Sequence, residues 1–265
     1  MKNSKIEWCD SSWNPITGCL HDCEYCYARK IANRFKGCIE DESAPITASL
    51  NGMQTGAVIE LDAPMKRKTE GGEIITAPYP FGFQPTLHRY RLDDPKKWTK
   101  PRTIFVCSMA DIFGDWVPDE WIEAVFAACE KASQHRYLFL TKNPKRLCEL
   151  ANKKKLPKNE NFWFGSTVDT TKSRLYPGRL RDNTFISIEP LLEPLNVGIG
   201  SFGGARWIII GAETGNREGK VIPKKEWIDN ICEAADITHA AVFMKDSLLP
   251  IVGEANMRRE FPWKK

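Results

Sequence analysis

The clearest pattern along the chain is a series of short apolar runs, rich in Ile, Val and Phe, that begins near residue 100. Each run is typical of a strand that is buried on both faces. A seventh candidate strand lies within SSWNPITGC, directly before a group of cysteines. The six later runs occupy residues 102–109, 136–142, 161–168, 184–190, 206–213 and 240–245.

Helical patterns lie between several of these strands. Segments 118–132, 143–153 and 223–235 each have a proline near the start, where helices accept it, and a further helix is predicted over 27–35. Strand, helix and strand at this spacing indicate parallel βαβ units. The sequence contains neither a glycine-rich dinucleotide fingerprint nor a phosphate-binding loop. It therefore predicts an α/β fold with a full or partial parallel barrel.

Residues 36–85 interrupt this pattern because glycines and prolines punctuate them and their periodicity is weak. We interpret them as an irregular insertion after the first βα unit, with a small hairpin around GAVIEL (56–61). Such an insertion acts as a lid or substrate contact, or else is a disordered surface loop. Residues 249–265 are interpreted as a C-terminal tail. The whole chain, 1–265, is expected to form a single domain.

Composition adds expectations about location and cysteine use. No apolar stretch is long enough to span a membrane, and the first residues lack the apolar core of a signal peptide, so we expect a cytoplasmic protein. Nine cysteines in a reducing compartment argue against a disulfide framework. Cys107, Cys129 and Cys232 lie in apolar runs and are expected to pack as small core residues.

The net charge of +4 says little about partners, but its distribution says more. Residues 88–102 carry six Lys or Arg against two Asp, and they interleave Tyr90 and Trp98. Cations and aromatic rings in this combination suit phosphates and stacked bases. The alternative is a solvated basic connector between two elements.

Polar side chains follow most of the predicted strands. Because the carboxyl ends of the strands of a parallel barrel face a common mouth where active sites lie, we expect a polar pocket there. The side chains concerned are Ser108, Asp111, Thr141, Lys142, Ser166, Thr167, Ser187, Glu189, Glu213, Thr214, Lys245 and Asp246.

The segment GCLHDCEYCYA, residues 18–28, places Cys19, Cys23 and Cys26 in one loop. A structural zinc site needs four protein ligands, and His21 or Cys9 could supply the fourth. An iron–sulfur cubane held by three cysteines instead leaves one iron free to bind a small molecule.

The spacing C-x3-C-x2-C, with Tyr25 before the last cysteine, resembles the signature of radical S-adenosylmethionine enzymes. In that superfamily the loop follows the first strand of a partial (βα)6 barrel. From residue 6 to about 248, apart from 36–85, the chain also resembles phage and bacterial three-cysteine-motif proteins, which are distantly similar to DNA photoproduct lyases. The motifs that carry this resemblance are IEWCDSSWNPITGC, SMADIF, LTKNPKRL, ISIEPLLEPL and IIIGAETG.

The resemblance implies two cofactors. Cys19, Cys23 and Cys26 would hold a [4Fe–4S] cluster whose fourth iron is chelated by S-adenosylmethionine. A reductant such as flavodoxin or ferredoxin would supply the electron that cleaves S-adenosylmethionine to a 5′-deoxyadenosyl radical, which then abstracts hydrogen from a substrate.

The resemblance also implies roles for single residues. Tyr25 would lie against the adenine, and Ser108 near the methionine amino group, although SMAD replaces the usual Gly-Gly-Glu of the family. Cys107 is either a hydrogen donor, as a cysteine is in photoproduct lyases, or a core residue. Further candidates are Asp111, Ser166, Ser187 and Glu189 for cofactor contacts, and Glu213 and Lys245 for catalysis.

Three hypotheses for the function follow. The first is a radical enzyme that modifies or repairs a nucleic-acid base or nucleotide. The second is a radical enzyme that acts on a small metabolite or peptide; since Cys232 is the last cysteine, we expect peptide-modifying members with auxiliary clusters to fit poorly. The third is a non-enzymatic zinc module that binds nucleic acid or a protein partner.

Overall fold

The computed structural model describes residues 4–39, 46–49, 58–173, 183–197, 201–202 and 204–264, and it shows an α/β fold. The strands are β1 (Ser11–Trp13), β2 (Ile16–Thr17), β3 (Ile46–Ser49), β4 (Val58–Leu61), β5 (Lys66–Lys68), β6 (Ile74–Thr76), β7 (Thr86–His88), β8 (Thr103–Val106), β9 (Arg136–Thr141), β10 (Phe162–Thr167), β11 (Thr184–Ile188), β12 (Trp207–Ile210) and β13 (Ala241–Met244). The helices are α1 (Tyr27–Arg34), α2 (Asp119–Glu130), α3 (Pro144–Asn152), α4 (Lys225–Ile237) and α5 (Leu249–Val252).

Seven of the described strands form one parallel sheet in the order β1-β8-β9-β10-β11-β12-β13. The prediction of seven parallel strands is therefore confirmed. Several strands are shorter than predicted, and β8 shows why. Its predicted run extends to residue 109, but Cys107 adopts a φ of 59°, a left-handed backbone angle that ends an extended strand.

The four predicted helices are also present, with ends that differ by one or two residues. Helix α2 begins at Asp119 because Pro118, with a ψ of 144°, is the residue that precedes the first turn. Asp119 and Glu120 place negative charge at the positive end of the helix dipole. Across the described part of the chain, no helix has the length and apolarity needed to cross a bilayer.

The chain divides into two compact units, of which the first consists mainly of Ser11–Tyr137. It contains β1 paired with β8 and a second sheet in the order β2-β7-β4-β3. Strand β4 covers most of the predicted GAVIEL hairpin and pairs antiparallel with β3, while residues 50–57 lie outside the described residues. Residues 58–85 contribute strands β4, β5 and β6, so the disordered-loop alternative does not apply to them.

The second unit consists of Asn3–Asp10 and Leu138–Lys265. Strands β10 to β13 pair in succession, and one face of this part of the sheet packs on α4. Ile186, Ile208 and Ile210 from the strands and Ile228 and Ile231 from α4 are fully buried there. Each such side chain contributes about 1.5–3 kcal/mol by leaving water, so this layer is a main source of stability for the unit.

Residues near both chain ends pack into the second unit. The Trp8 ring centroid lies 6.2 Å from that of Trp207, and the Trp263 ring centroid lies 5.0 Å from it. Arg259 forms an antiparallel bridge with Phe243 of β13. The segment predicted as a tail, 249–265, thus contains α5 and a stretch that pairs with the sheet.

Candidate functional site

The cysteine loop begins at Gly18, which has a φ of 91°. Its amide donates to the carbonyl of Met109 at 2.9 Å, and the amide of Cys19 donates to the carbonyl of Phe83 at 3.3 Å. A Cβ at position 18 would lie 2.3 Å from the Gln84 carbonyl oxygen. Only glycine therefore fits both the backbone angle and the space here.

The loop ends at Cys26, which is the N-cap of α1. Its sulfur accepts a hydrogen bond from the amide of Arg29 at 3.4 Å, and its own amide donates to the carbonyl of Cys23 at 3.2 Å. Arg29 in turn forms an ion pair with Asp22. The second and third cysteines are thus held in one turn that leads directly into the helix.

The Cys19 thiol has an environment that disfavours its ionised form. Burial is the main cause that raises the pKa of Cys19 to about 12, and the nearby Asp111 carboxylate and the Cys23 and Cys26 thiols act in the same direction. Cys19 is therefore a neutral thiol at neutral pH in the metal-free protein. A metal would have to displace its proton, because thiols bind metals as thiolates.

Two side chains hold the middle of the loop. The Nε2 atom of His21 lies 2.7 Å from Oδ2 of Asp111, and because a carboxylate only accepts, the ring donates. The His21 ring also packs edge-on against Trp116, with ring centroids 4.9 Å apart. Asp111 was predicted as a cofactor contact; in the structure its carboxylate contacts the cysteine loop itself.

Two further candidates are Ser108, in the turn after β8, and Tyr25, in the cysteine loop. The Ser108 hydroxyl donates to the side-chain oxygen of Asn14 at 3.1 Å, and its carbonyl accepts from the Tyr27 hydroxyl at 2.9 Å. Tyr25 is half-buried in the loop beside Cys26. Sequence reasoning missed Asn14, because only the folded chain brings it to residue 108.

The scattered cysteines behave mainly as core residues. Cys107 is buried, and burial raises the pKa of its thiol to about 12, so the thiol is neutral. Cys129 is also buried, whereas Cys232 is half-buried beside the core of the second unit. Cys9 belongs to the second unit, where its thiol donates to the carbonyl of Ile6.

Polar groups at the strand ends of the second unit pair with each other. Lys142 lies 2.8 Å from Asp169, and Glu189 forms an ion pair with Lys245. The Glu189–Lys245 pair joins two residues that were predicted for different roles. Their strands flank β12, where Gly211 follows the last strand residue.

Glu213 is buried and paired with an arginine of its own loop. Its side chain is 2% exposed and accepts two hydrogen bonds from Arg217, at 2.6 and 2.8 Å. The Arg217 guanidinium lowers the pKa of Glu213, so the carboxylate stays ionised. This pair lies within one loop and organises it, and Thr214 beside it is exposed.

Ser166 and Ser187 are buried, at 4% and 1% exposure. Within the described part of the chain, neither hydroxyl oxygen has a hydrogen-bond partner. In the pairing of β10 with β11, Thr167 lies opposite Ser187 and Ser166 lies opposite Ile186, so the two serines occupy opposite faces of the sheet. They therefore do not form one subsite.

The remaining strand-end candidates have local partners. Thr141 is buried, and its hydroxyl oxygen accepts from the amide of Asn143 at 2.8 Å, which stabilises the start of α3. Asp246 forms an ion pair with Arg259. These contacts are within the second unit and do not form part of the cysteine site.

Most cations of the basic segment 88–102 have polar partners within the first unit. Its two aromatic rings also pack on neighbours, Tyr90 on His88 and Trp98 on His135. Five of the six cations have partners: Arg89 with Glu60, Arg91 with the Asn14 carbonyl, Lys96 with Asp93, Lys97 with Asp94, and Arg102 with Ser11. Lys100 is exposed, and among the described residues its side chain has no ion pair or hydrogen bond.

The donor set of the cysteine loop fits an iron–sulfur cluster. Over the described ranges, no three His, Cys, Asp or Glu side chains converge closely enough to hold a metal ion. A cubane spaces its cysteines more widely than a single ion does, because each thiolate binds a different iron. Three soft thiols in one partly exposed loop provide the ligands that such a cluster takes.

A family model described as "Protein of unknown function (DUF5131)" matches residues 3–247. Neither the curated proteins nor the solved structures contain a match.

Proposed function

The chain belongs to the DUF5131 family, and on that premise we propose that it is a radical S-adenosylmethionine enzyme with a partial (βα)6-type barrel. The observation that carries the proposal is that Cys19, Cys23 and Cys26 lie in one loop, which ends at Cys26 as the N-cap of α1. Three thiolates for four irons leave one iron for a small molecule.

The chemistry supplied by the bound group would be one-electron reductive cleavage of S-adenosylmethionine to a 5′-deoxyadenosyl radical that abstracts hydrogen from a substrate. The chain's own residues would hold and shield the site. Gly18 and Cys26 fix the two ends of the loop, and the turn after β8 supports its middle.

The proposal extends to a nucleic-acid base or nucleotide as substrate through the resemblance to photoproduct lyases. The segment 88–102 gives this substrate less support than the sequence suggests, because Arg89, Lys96 and Lys97 form ion pairs with carboxylates within the fold. A reductant such as flavodoxin or ferredoxin belongs to the same proposal, as the source of the electron.

Anaerobic reconstitution with iron and sulfide, dithionite reduction and a chromatographic assay for 5′-deoxyadenosine test this function. We expect about four irons per chain and release of the nucleoside. Cys23→Ala should lose both, whereas Cys232→Ala, which changes a thiol outside the loop, should keep both. Zinc in place of iron, with no nucleoside released, would reject the enzyme and favour a zinc module.

A further inference from the structure

We infer that Asp111 is a positioning residue for the cysteine loop: by accepting a hydrogen bond from His21 it clamps the middle of the loop to the turn after β8. The role of the clamp in holding a cluster rests on the proposed function. The clamp itself is a property of the metal-free chain and is tested there.

Burial and two hydrogen bonds fix the Asp111 carboxylate in the position of this contact. The residue is 5% exposed, and each of its two oxygens has a partner in a different direction. Oδ1 accepts from the amide of Phe113 at 3.0 Å, which fixes the carboxylate in its own turn. Oδ2 receives the His21 ring at 2.7 Å, from a residue 90 positions earlier in the chain.

His21 stands midway between Cys19 and Cys23, so a contact at its ring constrains both neighbouring thiols. Its second support is the edge-on contact with Trp116, a buried ring. A Cβ at Gly114 would lie 2.3 Å from the Trp116 ring, so that glycine is what lets the ring occupy its place. The His21 ring is thus held by a hydrogen bond and by packing.

The same turn holds the loop at both of its ends as well. The Met109 carbonyl accepts from the Gly18 amide, before the first cysteine. The Ser108 carbonyl accepts from the Tyr27 hydroxyl, after the last. The backbone of the turn thus anchors the ends of the loop, and the Asp111 side chain anchors its middle.

Asp111 also brings a negative charge close to the thiols. The carboxylate interacts electrostatically with the Cys19 sulfur. A cluster held by Cys19, Cys23 and Cys26 would gain a negative charge on reduction, and the Asp111 carboxylate near Cys19 would oppose that gain. Removing the charge while keeping the shape of the side chain should therefore shift the reduction potential to more positive values.

Four variants separate the clamp from general destabilisation. His21→Ala and Asp111→Ala remove the contact. Asp111→Asn keeps the shape and removes the charge: its oxygen can accept from Phe113 while its amide group donates to Nε2 of His21 in the other ring tautomer. Asp115→Asn makes the same chemical change at an exposed position of the same loop. Hydrogen exchange of residues 19–26 is measured in the metal-free proteins, with β7 and β8, two strands of the same unit, as internal references.

We expect exchange of the loop to rise by roughly tenfold in His21→Ala and in Asp111→Ala, the factor expected for loss of one charge-assisted hydrogen bond. The double variant should show no further rise, because the two side chains form one contact. Asp111→Asn should restore most of the protection, and after iron loading its potential should be more positive than that of the wild type. Asp115→Asn should match the wild type in both measurements.

Unchanged exchange of residues 19–26 in both alanine variants would overturn the clamp. An equal rise in hydrogen exchange of the loop and of the reference strands would also overturn the clamp. Such a rise would mean that the residue stabilises the whole unit and not the loop in particular. If the wild type takes up no iron, the proposed function fails, and the metal-free exchange comparison still decides whether Asp111 positions the loop.

Discussion

Glu189 and Lys245 form an ion pair that passes over Gly211. Their strands, β11 and β13, are separated by β12, and the pair closes across the residue that follows the end of β12. A Cβ at position 211 would lie 3.0 Å from Cδ of Lys245 and 3.3 Å from Cγ of Glu189. A side chain at position 211 would therefore crowd both partners of this contact.

Gly211→Ala should weaken the second unit by about 1 kcal/mol, because the added methyl group pushes against both partners, whose flexible stems can partly yield. Gly211→Val should cost more. Urea unfolding followed by circular dichroism measures both. Gly71→Ala is the control: its Cβ would meet its nearest atom at 3.9 Å. If Gly211→Ala is as stable as the wild type, the Glu189–Lys245 ion pair does not require a glycine at position 211.

Gly18 and Gly37 separate two costs of replacing a glycine. Both have a positive φ, 91° and 100°, but a Cβ at Gly37 would have no atom within 4 Å, whereas at Gly18 it would overlap the Gln84 carbonyl. Gly37→Ala should therefore cost about 1 kcal/mol for the backbone angle alone. Gly18→Ala should cost about 3 kcal/mol or more, because it adds the steric overlap. Equal free energies of unfolding for the two variants would show that the loop moves freely away from residue 84.

Local patterns in the sequence were sufficient to predict the elements of the main sheet. Runs of apolar residues and prolines at helix starts depend on neighbours within a few positions, and α1 and α3 end within one residue of their predicted limits. The cysteine loop could also be identified from the sequence, because the spacing of its cysteines is a local pattern.

The partners of side chains could not be predicted in this way. Asp111 was assigned to a cofactor, and His21 was considered as a zinc ligand, because nothing in the sequence shows that residues 90 positions apart form a hydrogen bond. Glu189 and Lys245 were likewise assigned to separate roles. Such contacts depend on the register of strands that are distant in sequence, which periodicity does not encode.

The Glu213–Arg217 pair predicts an asymmetry between its two partners. Arg217→Ala would leave the Glu213 carboxylate, 2% exposed, without its cation, at a cost of about 2–4 kcal/mol. Glu213→Gln leaves only the more exposed Arg217 unpaired and should cost less. Lys225→Ala, which breaks the exposed pair with Asp229, should change stability by less than about 0.5 kcal/mol.

The same pair has a defined pH dependence. Arg217 lowers the pKa of Glu213 in the folded protein below its ordinary value of 4.5, so the pair stabilises the fold above that pH and loses its effect as the pH falls through the folded value. The difference in free energy of unfolding between wild type and Arg217→Ala should therefore shrink on acidification below pH 4.5. A difference that stays constant down to pH 3 would contradict an ionised Glu213.

His88 predicts an earlier loss of stability on acidification. Its ring is buried, with Nε2 2.9 Å from the Thr17 hydroxyl, and burial together with the charge of Arg91 lowers its pKa from 6.5 to about 2. Below pH 6.5 the unfolded chain therefore binds a proton at this ring, whereas the folded chain does not. The free energy of unfolding is at its full value above pH 6.5, and it falls below that pH by up to about 1.4 kcal/mol per pH unit. Urea unfolding at pH 7, 6 and 5 measures this slope. His88→Gln should reduce the slope, whereas the control His239→Asn, at an exposed position, should leave the slope unchanged. If His88→Gln has the same slope as the wild type, another group controls the acid sensitivity.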